Sequence, residues 1–370
     1  MARTLSRVDL MDMLHGAAIL GTGGGGEIEE GIQLIDAALA AGKTFQLADL
    51  GDAPPDALIC TPYMLGAISE IPAEEDALYE GLPQSDTHPI LLAYDAFEAM
   101  LGQRFWGTVP CELGGSNTAI AFYAAAMRGA VMCDADPAGR AVPEITHSTY
   151  FLNDLPAAPI VMANQFGEHF VAQHIKDDQR AETLVRALSV VSRHDIAAID
   201  HALPAAQIMG AILPGTISRA IKLGALWRAG LHDPLSLPSK IARAAGGFVA
   251  FEGEVSDASW RTEAGFTLGA FSLAGIGDYE GHRYRVTLKN ENVAAWFDGA
   301  LQATVPDLIC ALDLQTGAPL TNPNAQAGQR VAIVILPADP AFTTDSALRV
   351  FGPAYAGVDQ AYRPAVPAPL

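Results

Sequence analysis

Two amphipathic stretches open the chain, and glycine separates them. Val8, Met11, Leu14 and Ala18 recur on one face, and Ser6 with Asp9 has capping-box spacing, so a helix is predicted over 6–19. It stops at Gly21-Thr22-Gly23-Gly24-Gly25-Gly26, after which Ile28, Ile32, Ile35 and Leu39 mark a second helix ending near Gly42. Short apolar runs at 57–60, 105–109, 130–133 and 160–163 read as strands, and a helix over 117–128 carries Ile120, Ala124 and Met127 on one face. Strands alternating with helices argue for an α/β layer on a largely parallel sheet. A helix over 181–191 leads to Pro214-Gly215-Thr216, where Thr216 is placed to cap a helix running to Trp227. From Gly247 onward the period changes: Tyr284, Val286 and Leu288 alternate with polar residues, and 308–312 and 331–336 read as strands. The Pro- and Ala-rich tail after Phe351 is expected to lack regular structure.

The pattern decides how the glycine run is read. A dinucleotide fingerprint follows a strand and opens a βαβ unit, whereas this run joins helix to helix. Two readings remain, a tight turn with close backbone approach or a substrate loop using Gly23 and Gly24, with Glu27, Glu29 and Glu30 already at the positive end of the next helix.

With 370 residues and 50% hydrophobic content, the chain can bury a large core, and two domains are expected, 1–170 and 171–370. Its 22 basic and 42 acidic side chains give a net charge of −20, which argues against nucleic acid or an anionic membrane as partner. No leader-like apolar region opens the chain and no run has the length of a membrane span, so a cytoplasmic location is expected. Cys60, Cys111, Cys133 and Cys310 form no C-x-x-C pair, and buried structural thiols are expected. Symmetric homo-oligomers are common for such chains, and a homo-oligomer is the base-rate expectation.

The chemistry concentrates where the strand at 130–133 ends. Asp134, Asp136 and Glu144 crowd a loop with Arg140, and Pro137 and Gly139 turn the chain so that they can converge. Converging carboxylates share a proton or a metal; the alternative is a solvated acidic loop with Arg140 as counter-ion. Ligands of open α/β sheets bind beyond the carboxyl ends of strands, which here would gather Tyr63, Glu112, Gly114, Gly115, Asn117, Asp134, Asp136 and Arg140. Lys289-Asn290-Glu291-Asn292 reads either as a hairpin turn with an internal ion pair or as a contact facing an interdomain cleft.

Seven segments together resemble the S-methyl-thiohydantoin desulfurase family: LGTGGGG at 20–26, ELGGSN at 112–117, DADPAGRAVPE at 134–144, PGTISRA at 214–220, KNEN at 289–292, PDLI at 306–309 and FGP at 351–353. The resemblance implies an α/β fold with an N-terminal three-layer α/β/α domain and a C-terminal β-barrel-like domain. It also implies metal-dependent hydrolysis of a five-membered imide-like ring, with sulfur lost as a thiol and a hydantoin left behind. The chain departs from its relatives at Glu27-Ile28-Glu29-Glu30, where they tend to have Asp-Pro-Tyr, and at His147, where they tend to be less basic.

On this reading the protein is a hydrolase of a small cyclic substrate. Asp134, Asp136, Glu144 and Glu112 are the catalytic candidates, and Asp134, Asp136, Glu144 and His147 the candidate ligands of a divalent metal, Zn, Mn or Mg. Arg140 would clamp a substrate carboxylate, Asn117 and the amides of Gly114 and Gly115 would polarise a ring carbonyl, and Lys289 would add a cationic contact. The rivals are a non-catalytic small-anion binding or regulatory protein, and a ring-opening enzyme of hydantoin or oxoproline type; the chain has no P-loop for nucleotide dependence.

Overall fold

The computed structural model describes residues 2–66, 71 and 73–369. Helix α1 (Arg7–Leu20) starts at Ser6, whose hydroxyl accepts from Asp9 N while the Asp9 carboxylate accepts from Ser6 N at 2.8 Å. The glycine run joins it to α2 (Ile28–Ala40), as the hydrophobic pattern requires. The other long helices are α3 (Pro89–Leu101), α4 (Asn117–Arg128), α5 (Asp178–Val190), α6 (Thr216–Gly230) and α7 (Leu237–Ala245). α1 is buried on nearly every side because α6 crosses it at backbone contact. A Cβ on Gly16 would lie 1.8 Å from Ala220 O, and one on Gly224 would lie 1.7 Å from Asp12 O, so only glycine permits this crossing.

The strands in chain order are β1 (Arg3–Leu5), β2 (Phe45–Ala48), β3 (Leu58–Gly66), β4 (Gly107–Thr108), β5 (Val131–Cys133), β6 (Ala135–Asp136), β7 (Ile160–Ala163), β8 (His169–Ala172), β9 (Asp195–Pro204), β10 (Leu213–Pro214), then β11 (Phe248–Glu263), β12 (Phe266–Gly275), β13 (Arg283–Lys289), β14 (Glu291–Phe297), β15 (Ala300–Thr304), β16 (Leu308–Asp313) and β17 (Arg330–Leu336). The first sheet has the order β1-β2-β5-β4-β3-β9-β7-β8. β2, β5, β4 and β3 pair parallel, and β7, antiparallel to β9, runs in their direction; β1, β9 and β8 run the opposite way. The expectation of a largely parallel sheet is corrected to a mixed one: the four apolar runs read as strands share one direction, but β9 enters between β3 and β7 the other way, and β1 and β8 flank the sheet antiparallel. β6 and β10 form a separate two-stranded ladder.

The second sheet is antiparallel throughout, ordered β15-β14-β13-β12-β11-β17-β16. It curls into a half-barrel: Asn292 Nδ2 on β14 donates to Ile309 O on β16 at 2.9 Å. Phe251, Phe271, Tyr284, Val286 and Ile333 fill its inside. The fold is thus an N-terminal α/β sheet followed by a curled antiparallel sheet. The first sheet takes β9 from beyond residue 170, inserted between β3 and β7. No helix among the described residues is long and apolar enough to cross a membrane.

Candidate active site

A cavity of about 1070 Å³ opens where the first sheet, α2, α4 and the β13–β14 turn meet. β3 supplies Thr61 and Tyr63, the loop before α4 supplies Cys111 and Glu112, β9 supplies Asp200 and His201, and the turn supplies Asn290 and Glu291. Two glycine segments press together to build its floor. A Cβ on Gly114 would fall 2.3 Å from Gly25 Cα, and Gly25 O accepts from Ser116 N and Asn117 N at 3.0 Å, capping α4. Gly23 and Gly24 back onto Asn322 and Glu291, and Gly25 and Gly26 are the members of the run that reach the cavity.

Glu112 is 5% exposed; its Oε1 accepts from Asn117 Nδ2 at 2.7 Å and its Oε2 from Val142 N at 2.6 Å. Burial outweighs both donors and pushes its carboxyl up to about 7. Glu291, 2% exposed, opens β14 on the same cavity, and its Oε2 has no hydrogen-bond partner. Burial, and then the charge of Glu112, hold Glu291 well above the usual carboxylate range. Two buried carboxyls, both raised by burial, thus line one cavity. Along the wall, Asp200 accepts from Tyr63 OH at 3.0 Å and pairs with His201 Nδ1 at 2.7 Å, while Tyr150 stacks on the imidazole.

The acidic loop divides. Glu144 faces the cavity, where burial raises its carboxyl but the neighbouring His147, Lys289 Nζ at 2.9 Å and Tyr355 OH at 2.9 Å together outweigh that and hold it low. Asp134 is tied to Ser218, accepting from its N at 2.8 Å and from its hydroxyl. Asp136, fully buried, accepts from Ala138 N at 2.9 Å and Gly139 N at 2.7 Å. Neither Asp134 nor Asp136 lines the cavity. Sequence spacing could not separate these roles, because Asp134 finds its partner in Ser218, more than eighty residues away, whereas Asp136 finds its own in the turn that follows it. His147 is wedged between Phe351 and Tyr355, and burial pushes it down to about 3. Among the described residues no group of three His, Cys, Asp or Glu side chains could hold a metal, and the set Asp134, Asp136, Glu144 and His147 does not fit one: two of its carboxylates are bound to Ser218 and to backbone amides.

Arg140 is also placed away from the cavity. It is 2% exposed and donates to Ala141 O, Pro306 O, Asp307 O and Thr22 Oγ1 at 2.8–2.9 Å, so it ties the two sheets together and has no free fork for a substrate carboxylate. Asn117 lines the cavity, but its amide is committed to Met64 N and Glu112, and the Gly114 and Gly115 amides lie outside the lining. Lys289 pairs with Glu144 rather than within its own turn, and the turn instead aims Asn290 and Glu291 into the cavity. Glu291 was missed in the sequence; its signal was the acid inside the KNEN turn. Thr216 likewise does not cap α6, whose cap residue is Gly215. Burial pushes the Cys60 and Cys111 thiols well up and Cys133 to about 12, consistent with structural thiols, although Cys111 lines the cavity.

Two family models account for almost all of this architecture. The model described as "S-Me-THD-like, N-terminal domain" matches residues 8–174, and "S-Me-THD-like, C-terminal domain" matches residues 176–365. The chain belongs to the S-Me-THD-like family. A crystal structure of a Chromobacterium violaceum protein is similar over 98% of this chain and 100% of that one, at 23% identity and a TM-score of 0.76, a likeness of fold. No curated protein matches the chain. The S-Me-THD-like family segments quoted above converge on one junction: Thr22 and Pro306-Asp307 receive Arg140, Ser218 holds Asp134, and Phe351 stacks on His147.

Proposed function

We propose that the protein hydrolyses a ring of the S-methyl-thiohydantoin type, releasing methanethiol and leaving a hydantoin, with Glu112 and Glu291 as the proton-transfer pair. The observation that carries this is two buried carboxyls on one cavity, one of them with an oxygen that no hydrogen bond satisfies, in a chain of this family. Water attacks the ring carbon bearing sulfur; ionised Glu112 takes one of its protons while protonated Glu291 gives its proton to the adjacent ring nitrogen as the C=N bond becomes single. As the new hydroxyl closes to a carbonyl, Glu291 takes the hydroxyl proton and Glu112 returns its own to the departing sulfur. The C–S bond breaks, methanethiol leaves, and both glutamates regain their starting states.

The cavity's described residues provide no free cation for a small-anion binder, since Arg186 is bound to Glu182 and Arg193 to Asp76. The test is thiol release from an S-methyl thiohydantoin by the wild type and by Glu112→Gln and Glu291→Gln. Loss of about a hundredfold or more in both folded variants is expected. Undiminished turnover in either would sink this assignment.

A further inference from the structure

The cavity is far larger than a bare five-membered ring requires, and its walls differ along its length. Helix α2 presents Glu27, Glu30, Gln33, Leu34 and Ala37 to it, one helical face about 15 Å long. Ile120 and Met64 continue the apolar stretch. Glu30 from α2 and Asp195 from the start of β9 are both exposed and both line the lumen.

The basic groups around these two acids are engaged elsewhere. Arg193 Nε donates to Asp76 at 2.6 Å, His194 Nε2 meets Glu75 at 2.6 Å, and Arg186 Nε donates to Glu182 at 2.7 Å while its other nitrogens reach Gly265 O and Pro143 O. Burial pushes His88 down to about 4, so it adds no charge. Partial desolvation of the Asp195 carboxyl against the cavity wall, and then the charge of Glu30, raise it to about 7. Independently, Glu291, 2% exposed on the same lumen, has an oxygen without a partner. A ligand carboxylate would enter a space with nine acidic residues and two committed arginines among its described lining.

Resting on the ring-hydrolysis reading, we infer that the substrate ring carries a protonated basic substituent on an aliphatic stem, the ring sitting at Glu112 and Glu291 and the cation between Glu30 and Asp195. Leu34, Met64 and Ile120 cover the stem, and the paired carboxylates select the charge.

Three hydantoins with equally long 5-substituents, aminoalkyl, alkyl and carboxyalkyl, are titrated calorimetrically into the full chain at pH 8. The aminoalkyl compound is expected to bind at least about tenfold more tightly than the alkyl one, with the carboxyalkyl compound weakest and the preference shrinking as salt is raised. The double variant Glu30→Gln, Asp195→Asn, both sites being open to water, should keep its circular dichroism spectrum and its alkyl affinity and lose the aminoalkyl preference. Equal affinity for alkyl and aminoalkyl, tighter carboxyalkyl binding, or a preference that survives in the double variant overturns the inference while leaving the ring reading in place. Failure of all three compounds to bind removes the ring reading and this inference together.

Discussion

Replacing Glu112 by Gln should remove a contribution to stability that the wild type loses as pH rises. In the unfolded chain this carboxyl titrates at 4.5, and in the fold burial raises it to about 7. A group raised on folding contributes stability that is complete below its unfolded value and lost as pH passes its folded value. Over that window the loss is about 2.5 units at 1.36 kcal/mol each, or about 3 kcal/mol. Glutamine carries no such term, but it presents one acceptor where the carboxylate presents two. Either Asn117 Nδ2 or Val142 N then loses its acceptor, at a cost of about 1–3 kcal/mol at every pH. The variant should therefore be less stable than wild type near pH 4.5 and equal to it or better near pH 8, with the difference moving by about 3 kcal/mol. Urea unfolding at half-unit pH steps measures this directly, and thiol release on the same samples reports the lost base. A stability difference that stays flat across the window would refute the claim that Glu112 is a strained buried carboxyl.

Four further outcomes follow from the same geometry. Glu291→Gln mimics the protonated acid, so its stability at pH 7 should stay within about 1 kcal/mol of wild type while turnover falls about a hundredfold or more; equal activity would exclude proton donation. Gly24→Ala places a Cβ 1.9 Å from Glu291 Oε1, so the chain should fold but release thiol poorly, and full activity would show that the acid's position is not critical. Lys289→Met leaves Glu144 with Tyr355 as its remaining donor and should lower the midpoint of urea unfolding, by about 1–3 kcal/mol at pH 7, less as the pH is lowered and Glu144 is protonated. Asp134→Asn preserves an acceptor for Ser218 and should leave thiol release within about threefold; a hundredfold loss in a folded protein would return Asp134 to the chemistry.

The helical periods at both sides of the glycine run, the capping box at Ser6 and Asp9, α4 and the alternation in β13 were all legible locally, since each depends on residues a few positions apart. The S-Me-THD-like family segments were legible too, although their roles were not. Arg140 looked like a substrate clamp because a lone guanidinium beside acids has that chemistry, yet its acceptors come from residues 22, 306 and 307. Glu291 looked like part of an ordinary turn, and only the approach of Gly24 and Glu112 makes it a buried acid.

The chain by itself settled the helices on both sides of the glycine run, the helix over 117–128, several of the strands, that a predominantly β half follows an α/β half, and that acids gather near glycine turns. Tertiary structure decided which of those acids lose water. Desolvation depends on what packs around a carboxyl from distant parts of the chain, so Asp134 became a helix tether, Asp136 a buried turn, and Glu112 with Glu291 the pair that shares a cavity.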